Sequence, residues 1–520
     1  DDDDGSSLTS VESSHHVVPK LEAYLYYFGI RGPGHWGPKL IYRTSKAVFT
    51  PPSGPEQDAR IMQLLPVYHH DKLGQDDLWS TIRDEVVKLL DKQEIQFTSV
   101  DLARFRWEEQ NAGNHLTASQ SRDILRLLEK HNIHDIDVAY RESVARPLTG
   151  SKLFAPVNNI HPLKDVIDPI TTALSLPRTP HMQGTLGFFF HVGEELYGVT
   201  ARHVLFPDEE GNKSYSYVAG PRKKVVLMVD KAFADFLASI QARIAILKNT
   251  VTVLGKQVAM YTKMAQVGNQ QAVNDLATTE AELNKRKAAI EELKTFFIKM
   301  KKEWSALNDR VIGHVVWAPP ISFSTPPHGY TKDVCDIRLN KKKFLPNFKG
   351  NVIDLGSEIE CGDFMIRMCP RDDAQSEFDY PEDRLLRLGA ILSVVKMREP
   401  NSQDHKGDTV RYVIKRGLTT RTTIGRLNGF ESYQRRYSVH GNLDSVEVPI
   451  YPYDNNSGPF SKGGDSGSPI VDSLAEFVAL LTGSTESSDI TYGTPMYWPW
   501  NDVIKPQFPG ANFYFDIPDN

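Results

Sequence analysis

Between two blocks of strand-like sequence lies a run of about 80 residues, 230–308, whose apolar positions recur every seven. Phe233, Leu237, Ile240, Ile244, Leu247, Val251, Leu254, Val258 and Tyr261 follow one another in alternating steps of four and three, a heptad seam. Leu276, Leu283, Ile290, Phe297 and Trp304 repeat the seven-residue step in the second half, joined by Leu293, Met300 and Leu307. Gly268-Asn269-Gln270 between them is a turn signal. This pattern predicts an antiparallel helical hairpin projecting from a β domain, each arm about 45 Å long at 1.5 Å per residue. The seam shows that something covers it. The two arms covering each other as a stalk, and a docking or self-association arm, both satisfy it.

A chain of 520 residues exceeds one ordinary domain. Residues 19–157 mix strand-like runs (AYLYYFGI, PKLIYRTS, IQFTSVDLARFRW, IDVAYRESVAR) with amphipathic helices. One helix is expected in DDLWSTIRDEVVKLLDKQ, with Leu78, Ile82, Val86 and Leu89 on one face, and a second in SQSRDILRLLEKH. An N-terminal α+β domain follows from this mixture. Residues 1–18 are acidic and Ser-rich and read as a disordered tail, and Pro- and Thr-rich residues 158–181 read as a linker. The β texture then runs through 182–229 and, after the helical insert, 309–520.

The net charge of −6 is spread along the chain and excludes a basic nucleic-acid footprint. No apolar run reaches the roughly 18 residues of a membrane span. Three cysteines, none in a CxxC pair, fit a reducing compartment. Residues 1–16 carry neither a basic n-region nor an apolar h-region, so a cytoplasmic location is expected.

The chemistry concentrates at Gly463-Gly464-Asp465-Ser466-Gly467-Ser468-Pro469. A serine hydroxyl is protonated at neutral pH and becomes a nucleophile only beside a positioned base and an oxyanion site. Flanking glycines let the backbone turn tightly and aim N–H groups at one point, here those of Gly464 and Ser466. A Gly-Asp-Ser-Gly run is also a plain turn sequence. The strands expected on both sides favour the nucleophile.

GGDSGSP resembles the nucleophile loop of the chymotrypsin-like (trypsin-like) serine proteases, and YGVTARHVLF resembles that family's histidine motif. CDIRLNKKKF resembles its aspartate motif. The likeness spans roughly residues 180–228 and 310–505, in the family's order of His, Asp, Ser. It implies a double β-barrel endopeptidase of the disulfide-free intracellular type, with His203 as base, Asp336 as the residue that orients it, and Ser466 as nucleophile. Asp333, three residues earlier, competes with Asp336; the alternation of Ile337 and Leu339 favours Asp336. Removing the helical insert brings the His203–Asp336 interval near the family's usual length, and a barrel loop tolerates such an insertion.

The resemblance also implies that Thr482, Gly483 and Ser484 form the edge that pairs substrate backbone. By position it sets Phe460 at the floor of the primary specificity pocket. Trypsin-type zymogens mature when a new N-terminus reaches the aspartate before the nucleophile. Here that aspartate is Asp465, more than 180 residues precede the first barrel strand, and another partner for it is expected. The implied activity is hydrolysis of a protein or peptide substrate through an acyl-enzyme, with no metal or organic cofactor. Two alternatives are an inactive or gated protease-fold scaffold working through its hairpin and N-terminal domain, and a self-processing protease.

Overall fold

A computed structural model describes residues 18–515 apart from 33–35, 46–48, 50, 52–60, 108–114, 118–121, 144, 147–172, 177–178, 207–209, 346–347, 357, 372, 374–376, 439–440 and 486–489. The expected tail up to residue 17 and most of the expected linker lie outside the described residues. The end of that linker is strand: Ala173–Leu176 (β1) and Thr179–Thr185 (β2) pair with each other.

These two strands lie at one edge of an antiparallel sheet completed by Phe188–Val192 (β3), Glu195–Thr200 (β4), Lys224–Leu227 (β5), Val311–Ala318 (β6) and Cys335–Leu339 (β7). Its order is β3-β4-β7-β6-β5-β1-β2, with the short strand Tyr215–Ser216 also on β6. Its two edge strands, β3 and β2, do not pair with each other among the described residues, so the pairing draws an open sheet.

The insert is helical, as its heptads predict. Asp230–Gln266 (α1) and Gln270–Glu303 (α2) run about 55 and 50 Å at 1.5 Å per residue. They connect β5 to β6, which are neighbours in the sheet, with Val225 opposite Gly313. Gly268, at φ +86°, makes the turn, and Asn269 caps α2 by accepting the Ala272 N–H. At the base, Phe233, Phe236, Ile240, Leu247, Leu293 and Met300 enter the same apolar core as β5, β6 and β7. Arg310, 1% exposed, fastens this base by donating to the carbonyls of Met228, Trp304 and Ser305 and to the Asp230 carboxylate. The seam residues are buried or half-buried along both arms, and the exposed apolar residues lie off the seam. Toward the tip, Val253, Met260, Met264 and Val267 are exposed.

The second sheet closes on itself. Tyr412–Gly417 (β8), Arg421–Leu427 (β9), Gly441–Pro452 (β10), Pro469–Asp472 (β11), Glu476–Thr485 (β12) and Thr491–Pro495 (β13) pair antiparallel in the order β10-β9-β8-β11-β12-β13 and back to β10. Val413, Leu427, Ile450, Ile470, Val478 and Leu481 fill its centre. A separate cluster, with Phe188, Phe190 and Val199 from the first sheet and Tyr412, Ile414, Val471 and Phe477 from the second, glues the two together.

The N-terminal part has the expected α+β composition and gathers an apolar cluster of its own, which one residue of the second sheet's loop joins. Helix Leu78–Lys92 buries Trp79, Ile82, Val86, Val87 and Leu90 against helix Arg122–Lys130, and Phe430 from the second sheet's loop completes that cluster. Strand Ser99–Val100 extends the strand Ser432–Ser438, and Arg435 bridges Asp91 and Asp444. The aromatic run after Pro19 is helix Lys20–Leu25 and turns, where sequence predicts a strand. There Glu22 is buried against Arg43 at 2.6 Å and Tyr26, Tyr27 and Ile30 gather in one cluster. Tertiary contact outweighs the β propensity of the aromatics.

Candidate active site

Strand β4 ends at Thr200, and Arg202–Leu205 makes one helical turn. Arg202 is 2% exposed and anchors the turn by donating to the carbonyls of Ala318 (3.2 Å) and Lys213 (2.8 Å). This fixes His203. Its backbone N–H donates to Oδ1 of Asp333 (3.1 Å), and its Nδ1 lies 2.5 Å from Oδ2 of the same carboxylate. A carboxylate only accepts, so Nδ1 carries the proton and Nε2 is left with its lone pair. Nε2 is buried and has no hydrogen-bond partner among the described residues. Burial alone would push the Asp333 carboxyl up, but the charge and the two hydrogen bonds of His203, with the nearby Arg436 guanidinium, hold it below its ordinary value.

Asp333 therefore takes the place that sequence reasoning gave to Asp336. Asp336 lies inside β7, opposite Val199 and Trp317, fully buried, with neither carboxyl oxygen hydrogen-bonded among the described residues. Desolvation drives its pKa well up. The alternation of Cys335, Ile337 and Leu339 marks the strand correctly. The useful carboxylate sits just before that strand, in the gap after Tyr330–Lys332 where the chain leaves the sheet.

The Ser466 loop is clamped from both sheets. Gly464 and Gly467 have φ of +95° and +86°, which only glycine adopts without strain. Gly467 has a second constraint, since a Cβ there would lie 2.6 Å from Thr185 O and from Thr200 Oγ1, and 3.0 Å from Ala201 N. The Thr185 N–H donates to Ser466 O (3.0 Å), and Thr185 Oγ1 donates to Gly464 O (3.1 Å). The residue after Ser466 thus abuts Thr200 and Ala201, two positions from His203. Ser466 itself is fully buried.

Asp465 finds a partner inside the second sheet. Its carboxylate accepts from the N–H groups of Thr419 (2.7 Å), Thr420 (3.2 Å) and Lys462 (2.9 Å) and from Thr420 Oγ1 (2.7 Å). Lys415 Nζ lies 3.4 Å away, with both side chains fully buried. Burial pulls the lysine's pKa down, and Asp465 opposes that.

The Ser466 loop leads directly to the expected substrate edge. Gly467 N–H donates to Leu481 O, and Leu481 N–H donates to Ser468 O, each at 3.0 Å. Thr482 and Gly483 follow on β12, Thr482 4% exposed with its Oγ1 3.5 Å from Tyr492 O. Ser484 is placed by its backbone pairing with Thr491. A Cβ on Gly483 would meet Arg436 Nη2 at 2.6 Å, so this guanidinium overhangs the edge. Phe460, expected at the floor of the specificity pocket, is a buried residue. It is 1% exposed within the core of the closed sheet, and Lys415 Nζ lies 5.5 Å from its ring centroid.

No protein-family model matches the sequence, and no curated protein matches it. The solved structures similar to the chain include Thermobifida fusca Protease A (11% identity, TM-score 0.25, covering 66% of this chain and 95% of that one). An alpha-lytic protease homolog, N4, is similar at 13% identity and TM-score 0.27, covering 66% and 97%. Overlaps this loose add nothing to the geometry above.

Sequence reasoning missed Lys415 and Arg436 and ranked Asp333 second. A lysine inside YVIKRG, where alternation points it to the core, is a readable signal for an acidic partner. Nothing local marks Arg436. Beside it, Glu447 is buried, and desolvation outweighs hydrogen bonds from Thr331 and Thr494 to push its carboxyl up to about 7. Its folded value lies above its ordinary 4.5, so its contribution to stability is complete below pH 4.5 and is lost as pH rises through about 7. Glu447→Gln should therefore gain thermal stability relative to the parent as pH is raised from 5 to 8. Melting curves across that range check this; a parallel pair of curves would contradict it.

Proposed function

We propose that the chain is a serine endopeptidase in which Ser466 attacks the peptide carbonyl, His203 takes and returns the proton, and Asp333 holds the imidazole in its working tautomer. The observation that carries this reading is the His203–Asp333 pair, which leaves Nε2 buried and unpaired two residues from where the Ser466 loop packs. In an unliganded site the base–nucleophile bond is often long and tightens with substrate.

In this reading the tetrahedral oxygen is met by the N–H groups of Gly464 and Ser466. The ester on Ser466 then forms as the C–N bond breaks, His203 delivers the proton to the leaving amine, and water releases the acid. Asp465, held by Lys415, Thr419 and Thr420, keeps this loop in shape without any new N-terminus. Substrate backbone pairs along Thr482, Gly483 and Ser484.

A fluorophosphonate probe tests the assignment. Stoichiometric labelling of the full chain, lost in Ser466→Ala and His203→Ala, is the expected result. A well-folded chain that never labels would favour the scaffold alternative.

A further inference from the structure

Strand β12 has two sides. From Ala479 to Ser484 one side is taken by β13, and up to Leu480 the other is taken by β11. Past Leu480 this second side carries the bonds between Leu481 and the nucleophile loop, and then continues as an edge. An extended peptide brought to Ser466 by backbone pairing must lie on that edge.

A strand already lies there. Ala145–Arg146 pairs antiparallel with β12, Arg146 opposite Ser484 and Ala145 opposite Thr485. Since β13 holds Ser484 from one side, Ala145–Arg146 is on the other, the side of β11 and the nucleophile loop. The direction is also informative. Residue numbers rise along this short strand as they fall along β12, so it points its C-terminal end toward Leu481 and Ser466. From Ser484 to Leu481 is three residues, about 10 Å at 3.3 Å per residue. A peptide entering this way presents carbonyls to the nucleophile in sequence.

We propose that Ala145–Arg146 is a tethered ligand of this edge, which a peptide must displace before it can reach Ser466. This rests on the endopeptidase reading for its consequence, but not for its test. The N-terminal unit is fixed to the second sheet through Ser99–Val100 and through the Arg435–Asp91 pair, so the segment leaving it is held near the edge at high effective concentration. With about 1 mM effective concentration and an intrinsic dissociation constant of about 0.1 mM, the tether weakens any competing peptide roughly tenfold.

Proline has no N–H to give to a ladder, so the double variant Ala145→Pro with Arg146→Pro removes both donors this strand can use. The probe is a fluorescent synthetic peptide with the sequence of residues 139–150, its binding followed by anisotropy on full-length chains that also carry Ser466→Ala. The expected result is about tenfold tighter binding to the double variant than to its parent, with the thermal midpoint unchanged. Equal affinities would overturn the proposal. In chains with Ser466 intact, the same double variant should lower KM for a peptide substrate about tenfold and leave kcat alone. A change in kcat with KM constant would mean that the strand only shapes the site. Because the binding measurement needs no catalysis, a chain that never labels with fluorophosphonate but shows the affinity difference sinks the enzyme reading and spares this one.

Discussion

Asp333→Asn should lower kcat/KM by about 10⁴-fold while the protein stays folded, and Asp336→Asn should change it less than about threefold. The contrast follows from geometry and protonation together. Asp333 receives both the backbone N–H and Nδ1 of His203, and its carboxylate is what makes Nδ1 the protonated nitrogen. An amide in its place offers its own N–H to Nδ1 and drives the proton to Nε2, where it blocks attack. Asp336 is a buried acid whose pKa burial drives up and which has no hydrogen-bond partner among the described residues, so an amide of the same shape changes little. Steady-state kinetics on any cleaved peptide separates the two, with far-ultraviolet circular dichroism as the folding control. If Asp336→Asn were the crippled variant, the site described above would be wrong.

Lys415→Met should be the most destabilising single change near the site, by about 3–5 kcal/mol, since it strands the Asp465 carboxylate in a fully buried place. For a unit of this size that corresponds to a fall of about 10 °C in melting temperature. Asp465→Asn should be comparably harmful, because it leaves the Lys415 ammonium with Thr420 Oγ1 and Arg421 O alone. The double variant should be less damaged than the sum of the singles, since replacing both charges removes the stranded one. A double-mutant cycle by thermal melts measures this. Simple additivity would mean that the two groups do not support each other, and that the loop shape comes from Thr419 and Thr420.

Much of this was legible because it is periodic or local. Heptads gave the hairpin and its turn at Gly268; alternation gave β7; GGDSGSP gave a loop in which Gly464 and Gly467 have positive φ where a tight turn needs it. What failed were choices that depend on distant chain. Asp333 and Asp336 differ in which one faces a histidine 130 residues earlier. Composition also cannot show that Phe430 joins the N-terminal cluster or that Ser99–Val100 pairs with another sheet. Closure of the second sheet and openness of the first are likewise pairing facts, invisible to a residue-by-residue reading.

The helical insert also bears on how quickly the chain can assemble. Strands β5 and β6 are adjacent in space yet separated by the whole of α1 and α2. Were that span a flexible coil, docking these strands would carry the slow search of a long-range contact. Helices form in under a microsecond, and once the two arms zip together from Gly268 downward their feet meet at Arg310. The rod then acts as a turn of nearly zero effective length, converting a remote pairing into a local one before the sheet begins to form.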